Sequence, residues 1–416
     1  MSEIPHVIGE GSYGCVHKPN LKCKSKKYKQ NKQNISKKIS KFMLKRDAED
    51  ELKEYKTIQH IDKNKKYYLG NPTLCTPEKN KIYLNAISDC ELYEKYKSKK
   101  KNFALLIMED GGENLSEFSK SHVKEFNNSF NNKFWTEALR LFKGIYEFEK
   151  HGISHHDLKP QNIVYNKSKN RLNFIDFGFM CKIKDTIELC KNNKHYIAEY
   201  PFWSYPFEFA YLNKDDFMKV AKMTISEKTN YFDDLIYKLK HDKDSKIYIA
   251  CSLYFDYITR NHSENDKTQI ISKYMEDFKN MILYEIIEDN YDEFVRKSIS
   301  TIDVFGLGMS MQYMLCYCKN NSDLNLFNEL EECFYNMMTP SLVNRYTISQ
   351  ALDKFQTILK ENKLLGTSKM NIKQKNILNK NYIELNRDKK NKLLNMQDKL
   401  KELIYKRQKT LKHSNK

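Results

Sequence analysis

The stretch that decides the fold of this chain is His155-His156-Asp157-Leu158-Lys159-Pro160-Gln161-Asn162, followed by Asp176-Phe177-Gly178 fourteen residues after Asn162. Asp157 offers a carboxylate that can accept a proton, and Lys159 offers a cation that can neutralise a phosphate. Asn162 and Asp176 offer the oxygen ligands that Mg²⁺ prefers in proteins. This order of groups is the one that phosphoryl transfer from ATP requires.

A glycine-rich segment near the N-terminus fits the same chemistry. It reads Ile8-Gly9-Glu10-Gly11-Ser12-Tyr13-Gly14-Cys15-Val16. Glycines let the backbone approach a phosphate closely and present N–H donors without side-chain obstruction. A glycine triplet alone also fits a dinucleotide-binding turn, but no strand–helix–strand unit with an acidic ribose ligand follows. The segment is therefore predicted to cover the phosphates of a nucleotide.

Together these segments resemble the eukaryotic-type protein kinase family, and the resemblance runs from about Ile8 to Leu352. Three further segments match in the same order: Trp203-Ser204-Tyr205-Pro206-Phe207-Glu208, Asp303-Val304-Phe305-Gly306-Leu307-Gly308 and Asn344-Arg345-Tyr346-Thr347. The resemblance implies that Asp303 braces the catalytic loop and that Glu208 pairs with Arg345 in a buried, bidentate contact. Phe207 stands where the family has a proline.

The fold implied is an α+β, bilobal protein-kinase-like fold. A small β-rich N-lobe would span residues 1–110, and a large helical C-lobe would span residues 111–365. Ninety-four residues separate Glu208 from Asp303, far more than the family usually has. Most of them, about 212–300, are predicted to form an inserted helical subdomain, and residues 366–416 a basic helical tail.

The activity implied is that of a Ser/Thr protein kinase with a protein substrate. Asp157 would be the base, Lys159 would assist transfer, and Mg²⁺ would be held by Asn162 and Asp176. ATP would bind under the glycine-rich segment, with its adenine edge on the backbone of Glu109 and Gly111. Lysine two residues after the base is typical of Ser/Thr kinases. The alternatives are a small-molecule phosphotransferase and an inactive scaffold with a kinase fold.

The lysine that orients the ATP phosphates is ambiguous in this sequence. Lys37 and Lys41 occupy near-duplicate Ile-Ser-Lys segments and would share one face of a strand. A helix is predicted over 48–60 with Asp47 as its N-cap. The apolar residues around Glu54 on this helix favour Glu54 as the partner of Lys37, from which it is seventeen residues away. Glu51 is the competing partner, although its ten-residue separation from Lys41 looks tight.

One departure from the family concerns regulation. The residue before the base is His156, where the family has an arginine that grips a phosphate on the activation segment. A histidine is mostly neutral at pH 7. We therefore expect activity that does not depend on phosphorylation of that segment, for example at Thr186.

Charge and composition bear on partners and location. Of the net charge of +18, +12 lies between Lys18 and Arg46 and +11 between Thr367 and Lys416, so the remainder is slightly acidic. The tail would be a solvated helix or an arm that contacts nucleic acid or another polyanion. Because the sequence has no apolar run of about 20 residues and no signal pattern, a cytoplasmic location is expected. We also expect a monomer.

The ten cysteines are scattered, which predicts reduced, mostly structural thiols. The abundance of lysine and asparagine, with the compact Ile-Ser-Lys strand, resembles kinases of large cytoplasmic DNA viruses. That resemblance implies the host cytoplasm or the virion as the location.

Overall fold

The computed structural model describes residues 4–11, 14–24, 38–97, 102–194, 207–244, 246–318 and 323–365. The chain up to Leu364 forms one compact unit. The predicted basic tail lies outside the described residues. Within them, none of the helices combines the length and the apolar character needed to cross a membrane.

The N-terminal region is built on one antiparallel sheet. Its strands are β1 (His6–Gly11), β2 (Gly14–Lys18), β3 (Lys38–Leu44), β4 (Thr73–Cys75) and β5 (Phe103–Glu109). They pair in the order β1-β2-β3-β5-β4. The continuous apolar run that begins at Phe103 is β5, and its Leu105 and Leu106 are fully buried. This run of large apolar side chains therefore supplies the centre of the N-terminal core.

Helix α1 (Lys45–Ile61) follows β3 without a loop. The prediction that it would start at Ala48 with Asp47 as N-cap is wrong, because Leu44 occupies the N-cap position and makes no side-chain cap. Asp47 instead lies in the first turn, where its charge suits the helix dipole. Helices α2 (Lys81–Ile87) and α3 (Glu91–Tyr96) contribute Tyr83 and Tyr93, whose rings lie against Phe42 of β3.

Two disulfide bonds fasten this region, Cys15–Cys90 and Cys23–Cys75, with Cα–Cα distances of 6.0 and 5.8 Å. The prediction of reduced thiols is therefore wrong for these four residues, while the other six cysteines are free. The paired residues are 75 and 52 positions apart in sequence. Cys15 lies on β2, Cys90 lies just before α3, and Cys75 ends β4. The tertiary fold brings the paired residues together, so their spacing along the chain gave no indication.

The C-terminal region is mainly helical. It begins with α4 (Leu115–Ser121), α5 (Asn128–Lys150) and α6 (Ile183–Lys191). Between α5 and α6 lie the short strands β7 (Ile153–Ser154), β8 (Ile163–Asn166), β9 (Arg171–Phe174) and β10 (Cys181–Lys182), while β6 (Glu113–Asn114) precedes α4. Strands β6, β8 and β9 form one sheet, and β7 pairs with β10. Asp157 thus lies between β7 and β8, and Asp176 between β9 and β10.

The long segment after Glu208 is helical, as predicted. It contains α7 (Lys214–Ala221), α8 (Ile225–His241), α9 (Lys246–Thr259), α10 (Glu264–Tyr284) and α11 (Tyr291–Ser300). The chain then forms α12 (Ile302–Cys318), α13 (Leu324–Met338) and α14 (Ile348–Glu361). Helix α12 is buried along nearly its whole length. The β-rich N-terminal and helical C-terminal regions confirm the predicted α+β, kinase-like fold with its helical insertion.

Phe207 attaches the insertion to the rest of the C-terminal region. Its ring lies 5.8 Å from that of Tyr254, 5.4 Å from that of Tyr274 and 5.3 Å from that of Phe278. Contacts between aromatic rings at these distances contribute beyond the area they bury. Phe207 thus packs against both α9 and α10.

Glu208 and Arg345 form an ion pair that is inaccessible to solvent on both sides. Arg345 donates from Nη1 to Glu208 Oε1 and from Nε to the carbonyl oxygen of Thr339. The predicted pair is buried, but it is not bidentate, because Glu208 Oε2 and Arg345 Nη2 have no hydrogen-bond partner among the described residues.

Arg345→Met should lower the free energy of unfolding by about 3–5 kcal/mol, because it leaves the buried Glu208 carboxylate without its partner. Arg296→Met is the matched control, since Arg296 pairs with Glu293 at the surface and should cost less than about 1 kcal/mol. Urea unfolding of both variants measures the difference. Equal losses would contradict a structural role for the buried pair.

Candidate active site

The loop that carries Asp157 is held by Asp303 at the start of α12. Its Oδ2 accepts a hydrogen bond from the backbone N–H of His155 at 2.6 Å, and its Oδ1 accepts one from His156 at 2.9 Å. Asp303 is 5% exposed, so both contacts are shielded from water. His156 adopts a left-handed backbone conformation, with φ of 65°. The carboxylate thus fixes an unusual turn immediately before Asp157.

Helix α12 can approach this loop because it carries a glycine there. A Cβ atom on Gly306 would lie 2.6 Å from the carbonyl oxygen of Leu158. Such a contact is too short to form, so any larger residue would push the helix away from the loop. Gly306 therefore sets the distance between Asp303 and the backbone that it holds.

Asp157 lies at the centre of a buried polar cluster. Asn162 donates from Nδ2 to Asp157 Oδ2 at 2.8 Å and to its backbone carbonyl oxygen at 2.8 Å. Lys159 Nζ lies 3.0 Å from Asp157 Oδ2 and 3.2 Å from Oδ1. The structure thus brings together three of the site residues predicted from the sequence. Asp157 is oriented from two sides and is 5% exposed.

The electrostatics of the cluster follow from its burial. Removal from water raises the pKa of the Asp157 carboxyl, Lys159 opposes this shift, and the charge of Asp176 adds to it. Removal from water also lowers the pKa of Lys159, and Asp157 opposes that shift. Each charge therefore stabilises the other. The influence of Asp176 on both groups shows that it shares the site with them.

Asp176 is exposed, whereas the neighbouring Phe177 is fully buried. The Phe177 ring meets that of Tyr55 on α1 edge-on at 5.5 Å and lies 5.2 Å from the ring of His155. Asp176 itself adopts a left-handed conformation, with φ of 59°. Packing of the Phe177 ring against α1 and the loop that carries Asp157 fixes the position of the Asp176 carboxylate.

Asn162 and Asp176 suit a divalent cation of the Mg²⁺ type. The amide nitrogen of Asn162 is engaged with Asp157, and no described residue donates a hydrogen bond to its Oδ1. One amide oxygen and one exposed carboxylate form a small, hard donor set. Mg²⁺ is commonly bound by such a set together with substrate phosphates and water. The residues present therefore fit the predicted metal.

The structure pairs Lys41 with Glu51, which was the competing pair, whereas the favoured pairing of Lys37 with Glu54 stays a prediction. Lys41 Nζ lies 2.6 Å from Glu51 Oε2. The ten-residue separation is sufficient because β3 runs directly into α1. Glu54 is partly exposed, and the charges that act on it are those of Asp50 and Lys53. Lys37 lies outside the described residues.

The Lys41–Glu51 pair belongs to the same site as Asp176. Burial raises the pKa of Glu51, Lys41 opposes the shift, and Asp176 adds to it. Lys38, by contrast, extends toward Glu109, with its Nζ 3.4 Å from Oε1. Of these two strand lysines, Lys41 is therefore the one directed toward the predicted metal ligand.

The glycine-rich segment contributes the paired strands β1 and β2, while Ser12 and Tyr13 lie outside the described residues. Gly11 is in register with Gly14, and Val16 is in register with Lys41 of β3. A Cβ on Gly14 would lie 2.1 Å from the carbonyl oxygen of Phe42. Glycine at this position therefore lets the hairpin lie close to β3, the strand that carries Lys41.

Glu109 and Gly111, whose backbone is predicted to contact adenine, lie at the end of β5 and in the segment that follows it. Glu109 ends the strand, and Asp110 is held by Lys18, with 2.7 Å between Nζ and Oδ2. Ile8 of β1 is 39% exposed. Backbone contacts of Glu109 and Gly111 with a nucleotide stay a prediction.

Sequence reasoning missed the surroundings of His156. Its Nδ1 lies 3.5 Å from Cys181 Sγ, and Thr186 donates from Oγ1 to the same sulfur at 3.2 Å. Burial raises the pKa of Cys181 to about 11, so the thiol is neutral at pH 7. Thr186 is itself buried, with 4% exposure. His156, which precedes the predicted base, thus packs against an uncharged thiol that the buried Thr186 also contacts, and no motif indicated Cys181.

Comparison with known proteins gives limited support from sequence. No protein-family model matches the chain. Residues of the chain are 30% identical over 106 positions to calcium-dependent protein kinase 5 of Plasmodium falciparum (isolate 3D7). The match covers 25% of this chain and 16% of the length of that kinase. This similarity supports a kinase-like relationship.

Proposed function

We propose that this protein is a Ser/Thr protein kinase that transfers the γ-phosphate of ATP to a hydroxyl group of a protein. The observation that carries the proposal is the cluster in which Lys159 and Asn162 both contact Asp157. A carboxylate held in this way can orient a hydroxyl and accept its proton. The similarity to a calcium-dependent protein kinase supports the same reaction class.

The roles of the other residues follow from their positions. Lys41, held by Glu51, would contact the α- and β-phosphates, and backbone N–H groups of the glycine-rich hairpin would cover them. Lys159 would neutralise charge on the phosphoryl group as it moves. Mg²⁺ bound by Asp176 and Asn162 supplies further charge neutralisation along the phosphates. Most of the rate enhancement would then come from positioning and from fixed charges.

The choice of Ser/Thr over Tyr rests on Lys159. Its Nζ contacts both carboxylate oxygens of Asp157, so it stands where a short hydroxyl side chain would meet the base. In the family, a lysine two residues after the base accompanies serine and threonine substrates.

Incubation of the protein with Mg²⁺, radiolabelled ATP and a mixture of proteins tests the proposal. We expect labelled serine or threonine, and a loss of at least about 100-fold in rate for Asp157→Asn and Asp176→Asn, because each removes a charge at the reacting centre. Asp289→Asn, on the exposed surface of the insertion, should retain the wild-type rate.

The proposal fails if the wild-type rate is no higher than that of either active-site variant. A labelled sugar or amine without labelled protein would favour a small-molecule phosphotransferase. Binding of ATP without turnover would favour a scaffold.

Matched pairs of variants test whether Lys41, held by Glu51, orients the phosphates of ATP. Lys41→Met and Glu51→Gln should each lower kcat/KM for ATP by about tenfold or more. The first variant removes the charge that orients the phosphates, and the second removes the carboxylate that holds this charge in place. Lys38→Met, on the same strand, and Glu54→Gln, on the same helix, should stay within about threefold of wild type. A larger loss for Glu54→Gln than for Glu51→Gln would restore the pairing that the sequence favoured.

A further inference from the structure

A residue of the insertion reaches the catalytic loop. Gln161, which lies between Lys159 and Asn162, donates from Nε2 to the hydroxyl oxygen of Tyr257 on α9 at 2.7 Å. The two residues are 96 positions apart in sequence. The amide oxygen of Gln161, Oε1, is buried and has no hydrogen-bond partner among the described residues. The contact with Tyr257 is thus what orients the Gln161 side chain.

Tyr257 is itself held in place by α12. Its ring meets that of Tyr313 edge-on, with 5.0 Å between ring centres. One turn earlier on α9, Tyr254 stacks on Phe305 at 5.5 Å. Cys316 donates from Sγ to the backbone carbonyl oxygen of Ile258 at 3.5 Å. The Tyr257 hydroxyl therefore has a fixed position relative to α12.

The catalytic loop is consequently held at two points, and both of the residues that hold it belong to α12 or pack against it. Asp303 of α12 holds the backbone of His155 and His156 on one side of Asp157. Tyr257, packed on α12, holds Gln161 on the other side. The base lies between the two tethers, and the metal ligand Asn162 follows the second one directly.

We propose that Tyr257 is a positioning residue for the phosphoryl transfer reaction, acting through Gln161 on Asn162 and Asp157. This inference rests on the proposed function. Loss of the tether would let the Pro160–Asn162 turn move, and Asn162 contacts Asp157 through a single amide nitrogen. A displacement of about 1 Å at a reacting centre can lower a rate by about 100-fold. The insertion would then take part in catalysis without contacting the substrate.

The test is steady-state kinetics of Tyr257→Phe, which removes the hydroxyl and keeps the ring that packs on Tyr313. We expect kcat to fall about tenfold while KM for ATP stays within about twofold, because Lys41 and the glycine-rich hairpin are untouched. Tyr237→Phe is the matched control: Tyr237 lies in the insertion on α8, is 64% exposed and should keep the wild-type kcat.

A double-mutant cycle separates positioning from a general loss of structure. Gln161→Ala should lower kcat about as much as Tyr257→Phe, and the double variant should be no slower than either single variant, because both remove the same contact. Urea unfolding checks that each variant is folded. Losses that multiply in the double variant, or an unchanged kcat in Tyr257→Phe, would overturn the inference while leaving the proposed function in place. A wild-type protein that transfers no phosphate would overturn the proposed function as well.

Discussion

The carboxylate of Asp303 is the constraint on which the rest of the site depends. It accepts two backbone hydrogen bonds from the residues immediately before Asp157. Without it, two buried N–H groups would lose their partners, at about 1–3 kcal/mol each. The left-handed turn at His156 would also lose its support. Gly306 on the same helix lets α12 come close enough for these bonds to form. The orientation of Asp157 toward Lys159 and Asn162 is a consequence of that turn.

The start of the segment that follows Asp176 is held by packing of its side chains. His156 and Thr186 are buried, and both contact the sulfur of Cys181, whose pKa is raised by burial to about 11. Helix α6, which carries Thr186, buries Cys190 in the core of the insertion. Lys191 of α6 also pairs with Asp292 of α11, with 2.9 Å between Nζ and Oδ1. The start of the segment that follows Asp176 is thereby fastened to the insertion by side chains that need no modification.

Much of the fold and part of the site could be predicted from sequence, and the division has a physical basis. Asp157, Lys159 and Asn162 lie within six residues, so the short loop itself brings them together. The apolar run at Phe103 predicted a buried strand for the same local reason. The choice between Lys37 and Lys41 depended on strand register and on the absence of a loop before α1. The disulfide bonds and the Gln161–Tyr257 contact join residues that are 52 to 96 positions apart without any motif.

We propose that Asp303 and the insertion assemble the site without a phosphate on the segment after Asp176. Single-turnover transfer from Mg²⁺-ATP to protein, before and after complete removal of phosphate by a phosphatase, tests it most directly. We expect the same rate constant for both forms, with phosphate-free protein confirmed by mass spectrometry. Protein that becomes inert on dephosphorylation and recovers when a phosphate is restored at Thr186 would contradict it.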